Sequence, residues 1–211
     1  MKNLLYKEFR LGIHPMFYLV LLCGALLLIP QWVFFLAPMY FFFFTVPNIF
    51  SIGKSQNDIG FSAMMPVRRS DIVRARMASM VVLEVLQILS TAVFAALNLL
   101  FYSRDNFLMN PNAAYIGLVL VMFAVFNLIF FPMFYKTAYK LGMPVVAATT
   151  AAVLFACAAE FLTAMPPFTV LGGREINGAQ ICVLAGGMIA FVLLNMVAFR
   201  LSVKKFESID L

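Results

Sequence analysis

The chain has 211 residues, of which 64% are hydrophobic and only 11% charged, about half the charged share of a soluble domain. With 24 Phe and 14 Met, a water-soluble fold of this size has too little interior to hide its apolar surface, so a bilayer must be the solvent for most of it. The formal charge of +6 reads as topology and attraction to anionic headgroups, and gives no reason to involve nucleic acid.

Residues 1–12 precede the first apolar run and are amphipathic: Leu5, Phe9 and Ile13 recur at helical spacing, while Lys7, Arg10 and His14 line another face. This predicts a short helix lying in the headgroup layer; the plainer alternative is a frayed basic end that only orients the chain. His14, the sole histidine, has no metal or catalytic partner in the pattern and is read as structural. No small-x-small site follows the first apolar run, so a removable signal is not expected, and Leu22 before Cys23 does not suit lipoprotein cleavage. Cys23, Cys157 and Cys182 fall within apolar runs, at spacings that fit neither a metal site nor a disulfide framework, and read as small buried residues.

A helix needs about 20 mostly apolar residues to cross the hydrocarbon, and such runs give six spans, at about 13–29, 31–52, 77–102, 113–135, 143–165 and 179–201. Between the first two, Ala37-Pro38 is the stronger breaker by composition. A second span starting at Tyr40, however, would hold only about 20 Å of helix before Gly53. The turn is therefore placed at Pro30, with Pro38 and Pro47 as kinks inside the second span. The run of phenylalanines at 41–44 is expected to face lipid.

The stretch 54–76 is the longest polar segment, yet it carries an apolar block at 61–67. Residues 59–65 suit one short helix stopped by Pro66. Ser70 is the expected N-cap of a helix running through Ile72, Val73 and Met77 into the third span. An apolar knob among arginines suggests a docking element for another protein; a basic loop that only enforces topology accounts for the composition equally well. Gly53-Lys54-Ser55 imitates the end of a phosphate-binding loop, but position 48 is Asn where Gly is required, and the triplet ends an apolar helix. No catalytic, cofactor-binding or metal-ligating residue is assigned.

Glu84, in the third span, heads a stripe of Glu84, Gln87, Thr91 and Asn98 on one helical face. A charge at that depth costs about 2.5–3.5 kcal/mol, so this face lines either a translocation path or a polar seam between helices. The loops at 103–112 and 166–178 are short, and 1–211 reads as a single transmembrane domain. In the fifth span Ala148, Ala152 and Ala156 form a small-residue ladder that suits a dimer seam or packing within the chain. Glu160, above it, is expected to snorkel to water. Asn127 and Gly186-Gly187 are weaker signs of helix contact.

With six spans, the N-terminus, the 54–76 loop, the fourth loop and the 202–211 tail share one side. Thirteen of the 15 Lys and Arg lie there and only Arg104 and Arg174 lie opposite, which predicts cytoplasmic termini.

The segment Met64-Met65-Pro66-Val67-Arg68-Arg69-Ser70-Asp71-Ile72-Val73-Arg74-Ala75-Arg76 resembles a pattern in permease subunits of type-2 ABC exporters. Those subunits often read Leu-Pro-Val-Ser-Arg-x-x-Ile-Val-x-x-Lys between their second and third spans; Met65, Arg68 and Arg76 are the departures here. The opening Met1-Lys2-Asn3-Leu4-Leu5-Tyr6-Lys7-Glu8-Phe9 is similar to that family's interfacial helix, and six spans with both termini inside match along the whole chain. The resemblance implies an all-α integral membrane protein of six transmembrane helices, with an N-terminal interfacial helix and a short cytoplasmic coupling helix between spans 2 and 3. It implies that Phe61, Met64, Met65, Pro66, Val67, Arg68, Arg69, Ser70 and Asp71 contact a separate ABC ATP-binding subunit, present in two copies. ATP and Mg then belong to that partner, and a second permease copy or a relative completes the assembly in a prokaryotic plasma membrane, often with the first and fifth spans near its axis. The leading expectation is export of a hydrophobic or amphipathic cargo such as a peptide, drug or lipid-like molecule. A stand-alone secondary transporter or channel, a membrane-embedded enzyme, and a scaffold or immunity protein are the rivals. For the enzyme no paired aspartates, zinc-ligand spacing or Ser/His/Asp set occurs at one depth.

Overall fold

The computed structural model describes residues 2–13, 15–64, 66–137 and 140–209; His14 and Met65, both singled out above, lie outside the described residues. Within them every regular element is helical. Helix α1 (Lys2–Lys7) passes into a π-helical turn, Glu8–Gly12. Helix α2 (Met16–Leu22) is prolonged in 3₁₀ form by Cys23–Leu28, and α3 covers Leu36–Ser55. The short α4 (Asp58–Met64) precedes the long α5 (Arg69–Phe101). Then come α6 (Ala113–Tyr135), α7 (Gly142–Ala164), the single turn α8 (Thr169–Gly172) and α9 (Gly178–Glu207).

Five helices, α3, α5, α6, α7 and α9, are long and apolar enough to cross a membrane, whereas α2 is apolar but shorter. The tighter winding of α2 matters here. Ser90 Oγ donates to the Leu21 carbonyl and Asn98 Nδ2 to the Leu27 carbonyl, both at 2.6 Å, so residues 21–27 of α2 lie alongside 90–98 of α5. Six residues of mostly 3₁₀ helix rise about 12 Å, as do eight of α-helix. The two helices therefore run parallel in matched register. Gly24 permits the contact, because a Cβ there would collide with the Phe94 ring.

The first turn falls at Pro30-Gln31, with Gln31 in the left-handed region at φ 58°. Its side chain offsets that strain by donating to the Asp105 carbonyl (3.0 Å) and accepting from the Phe107 amide (2.9 Å). Helix α3 consequently starts at Leu36 and not at 31, because 31–35 supply hydrogen bonds to the loop and helix beyond: the Trp32 carbonyl accepts from Asn106 and the Phe34 carbonyl from the Tyr115 hydroxyl. Pro38 then sits in the first turn, where a missing N–H is harmless, and not in the helix interior as expected. Just before Pro47 the ladder widens into a π-helical turn, Phe41–Thr45, with the Val46 amide reaching back to the Phe41 carbonyl.

Four consecutive helical residues sweep most of a circle, so the 41–44 run does not all face lipid. Phe41 and Phe42 are fully buried, while Phe43 and Phe44 are exposed. Phe42 stacks on Phe126 at 4.1 Å, and Phe50 meets Phe130 and Phe134 edge-on, both at 4.8 Å. This makes α6 the centre of the bundle: it is mostly buried, whereas α7 and α9 are mostly exposed. Gly117 of α6 and Gly187 of α9 meet backbone to backbone, leaving no room for a Cβ on either, whereas Gly186 faces open space. Ala148, Ala152 and Ala156 are buried within the chain, where α6 is the principal neighbour of α7.

Contacts sort the loops into two ends. At the basal end Lys7 meets Asp58, and Arg69 meets the last turn of α9. At the distal end Gln31, Asn106, Asn110, Asn112 and Arg174 tie three connections together.

Candidate functional site

The basal end presents one short helix with an apolar tip. Asn57, left-handed at φ 48°, makes the turn out of α3, a conformation Asn tolerates well. Its carbonyl accepts the Phe61 amide at 3.0 Å and so starts α4. Phe61 is 63% exposed and Met64 is 85% exposed. Pro66 and Arg68 are exposed, and Val67 is half-buried against the core.

Helix α5 takes Arg68, not Ser70, as its N-cap. The extended Arg68 offers its carbonyl to the amides of Asp71 (2.9 Å) and Ile72 (3.3 Å), so Ser70 already lies in the first turn. Asp71 in that turn suits the positive end of the helix. Arg69 turns inward: its Nη1 donates to the carbonyls of Phe206 (3.2 Å) and Ile209 (2.5 Å), and the guanidinium lies over the Phe206 ring. It thereby caps the end of α9. The residues expected to meet a partner thus divide, with Phe61, Met64, Pro66 and Arg68 outward, Arg69 committed within the chain, and Val67, Ser70 and Asp71 half-buried.

The root of α4 is ionic and largely enclosed. Asp58 accepts from Lys7 Nζ at 2.6 Å and from Arg76 Nη2 at 2.5 Å. Arg76 Nε binds Glu8 at 2.8 Å, and Lys7 also reaches Glu8 at 3.4 Å. Lys7 further donates to Ser62 of α4 at 3.0 Å, and Arg76 lies over the Phe50 ring against Gly53. Two anions and two cations so join α1, α4 and α5, backed by α3. A cavity of about 30 Å³ remains beside them, room for about one water.

Burial pushes the Glu8 carboxyl above the ordinary carboxylate range, against the lowering pull of Arg76 and Lys7. A carboxylate raised in the fold contributes stability that is present below its ordinary pKa and lost as pH rises through the raised value. Read from the sequence, Lys7 belongs to the polar face of an interfacial helix and Arg76 to the basic 54–76 stretch, and neither Glu8 nor Asp58 stands out. Only the fold brings Lys7 to Asp58, 51 residues further on, and Glu8 to Arg76.

The stripe on α5 is buried inside the chain. Glu84, Gln87 and Thr91 are fully buried and Asn98 nearly so. Asn127 Nδ2 donates to Glu84 Oε2 (2.8 Å) and to Asn195 Oδ1 (2.9 Å), linking α5, α6 and α9. Thr91 donates to the Gln87 carbonyl, and Asn98 is bound to α2 as above. Glu160 does not snorkel: it is 7% exposed and accepts the Met109 amide at 2.9 Å, because the 102–112 connection folds over the end of α7.

A family model described as ABC-2 family transporter protein matches residues 3–207. No curated protein and no solved structure matches the chain.

Proposed function

The chain belongs to the ABC-2 family of transporter proteins, and on that premise we propose that it is the permease subunit of an exporter driven by separate ATP-binding subunits. The basal end lies in the cytoplasm, in keeping with the Lys and Arg bias, and α2 crosses with the five longer helices of a prokaryotic plasma-membrane protein. Helix α4 enters a cleft of the ATP-binding subunit through Phe61 and Met64. The supporting observation is that one seven-residue helix joins an exposed apolar tip to a largely enclosed ionic root. So short a helix has no stability of its own, and its position is that of the groups that hold it. A force on Phe61 and Met64 therefore reaches Asp58, and through Arg76 and Lys7 it reaches α5 and α1.

Two ATP-binding subunits, which hold the ATP and Mg, and a second permease copy or relative complete the assembly, which alternates between two packings of the bundle. The cargo is hydrophobic or amphipathic, since the distal connections bind one another and form no separate gripping domain. The buried α5 stripe locks helices together. In proteoliposomes with the ATP-binding subunit, Phe61→Asp with Met64→Asp is expected to weaken association at least about 30-fold. Asp58→Asn is expected to leave association intact while transport per ATP falls. Unchanged association in the double variant contradicts the proposal.

A further inference from the structure

A groove of about 520 Å³ runs between α5 and α9. Met77, Ala78, Val81 and Val192 are among its apolar walls, and Arg74 and Arg200 stand at its basal mouth. From Arg74 to Val81, α5 rises about 10 Å, and from Phe191 to Arg200, α9 covers about 14 Å. That length is most of one leaflet's hydrocarbon, about 15 Å. Arg74 is held at the mouth by lying over the Phe199 ring at 5.4 Å. Among the described residues neither guanidinium has a carboxylate partner, and no acidic side chain lines the groove.

These features select the occupant by charge. A free anion gains nothing from the apolar walls, and a cationic amphiphile meets two like charges. A second copy docked here about a two-fold axis would bring four guanidiniums together without counterions. We propose that this groove holds one acyl chain of an anionic phospholipid, with its phosphate bound between Arg74 and Arg200. The bound chain lies against Asn195, which lines the groove and is joined through Asn127 to Glu84. The lipid therefore sits on the same seam that ties α9 to the bundle. The site depends neither on α4 nor on ATP.

The test is native mass spectrometry of the full chain in detergent, equilibrated with equimolar phosphatidylglycerol and phosphatidylcholine. Wild type is expected to retain the anionic lipid about 30-fold over the zwitterionic one, the effect of two basic side chains at the surface. Arg74→Gln with Arg200→Gln is expected to bring the two to near parity, while Lys136→Gln, exposed elsewhere at the basal end, keeps the preference. Independently of any variant's folding, phosphatidylglycerol carrying a diazirine in its acyl chain is expected to label 77–81 and 191–196 in wild type. Parity in wild type, an unchanged preference in a monodisperse double variant, labelling confined to other helices, or crosslinks between two α9 helices across this groove would overturn the proposal.

Discussion

At the scale of single residues, the polar atoms inside the bundle act as connectors. Among the described residues Asn127 is the donor to both Glu84 and Asn195, so its loss orphans two acceptors at once. Asn127→Leu is expected to cost about 1–3 kcal/mol, read as lowered thermal stability in detergent, whereas Glu84→Gln keeps an acceptor for Asn127 and leaves assembly intact. Equal stability of Asn127→Leu and wild type would remove the seam. The glycines make a matched pair. Gly187→Ala meets the Gly117 backbone and is expected to destabilise by about 1–3 kcal/mol, whereas Gly186→Ala points into open space and is expected to be neutral. Glu8 gives a pH signature. Because burial holds its carboxyl high, wild type is expected to lose stability relative to Glu8→Gln as pH rises from acid through the raised value. Melting curves that diverge in the other direction would mean that ionised Glu8 is net stabilising.

At the scale of elements, hydrophobic run length makes most helices readable from the sequence. The helices at 113–135 and 142–164 fall within a residue of their expected bounds, and a short helix before Pro66 forms at 58–64. The departures have local causes that run length does not encode. Gln31 and residues 32–35 are drawn into distal hydrogen bonds, so α3 starts late, and α2 gains rise through 3₁₀ winding instead of extra residues. The ionic root of α4 was illegible because each of its charges, taken alone, is an ordinary basic or acidic residue at a membrane interface. Its role is nonetheless separable from that of the tip. Asp58→Asn removes the shared carboxylate and is expected to leave Phe61 and Met64 able to bind while their displacement no longer reaches α5. If that variant transports as much per ATP as wild type, the cluster does not carry the motion.

At the scale of the molecule, α6 is enclosed by its neighbours, while α7 and α9 keep broad apolar faces. The small-residue ladder of α7 is spent inside the chain, so it offers no free surface on which a second copy could pack. The distal end is closed by loop-to-loop hydrogen bonds, and the basal end offers α4, whose attachment reaches two other helices. On the proposed reading, this asymmetry puts the exchange of work at the basal end. Photocrosslinking in native membranes from a photoreactive residue at position 64, with the adduct identified by peptide sequencing, tests that location directly. The account predicts an adduct with an ATP-binding subunit from position 64, its loss on adding Phe61→Asp, and none from position 107 at the distal end. An ATP-binding subunit captured from position 107, or none captured from position 64, would contradict it.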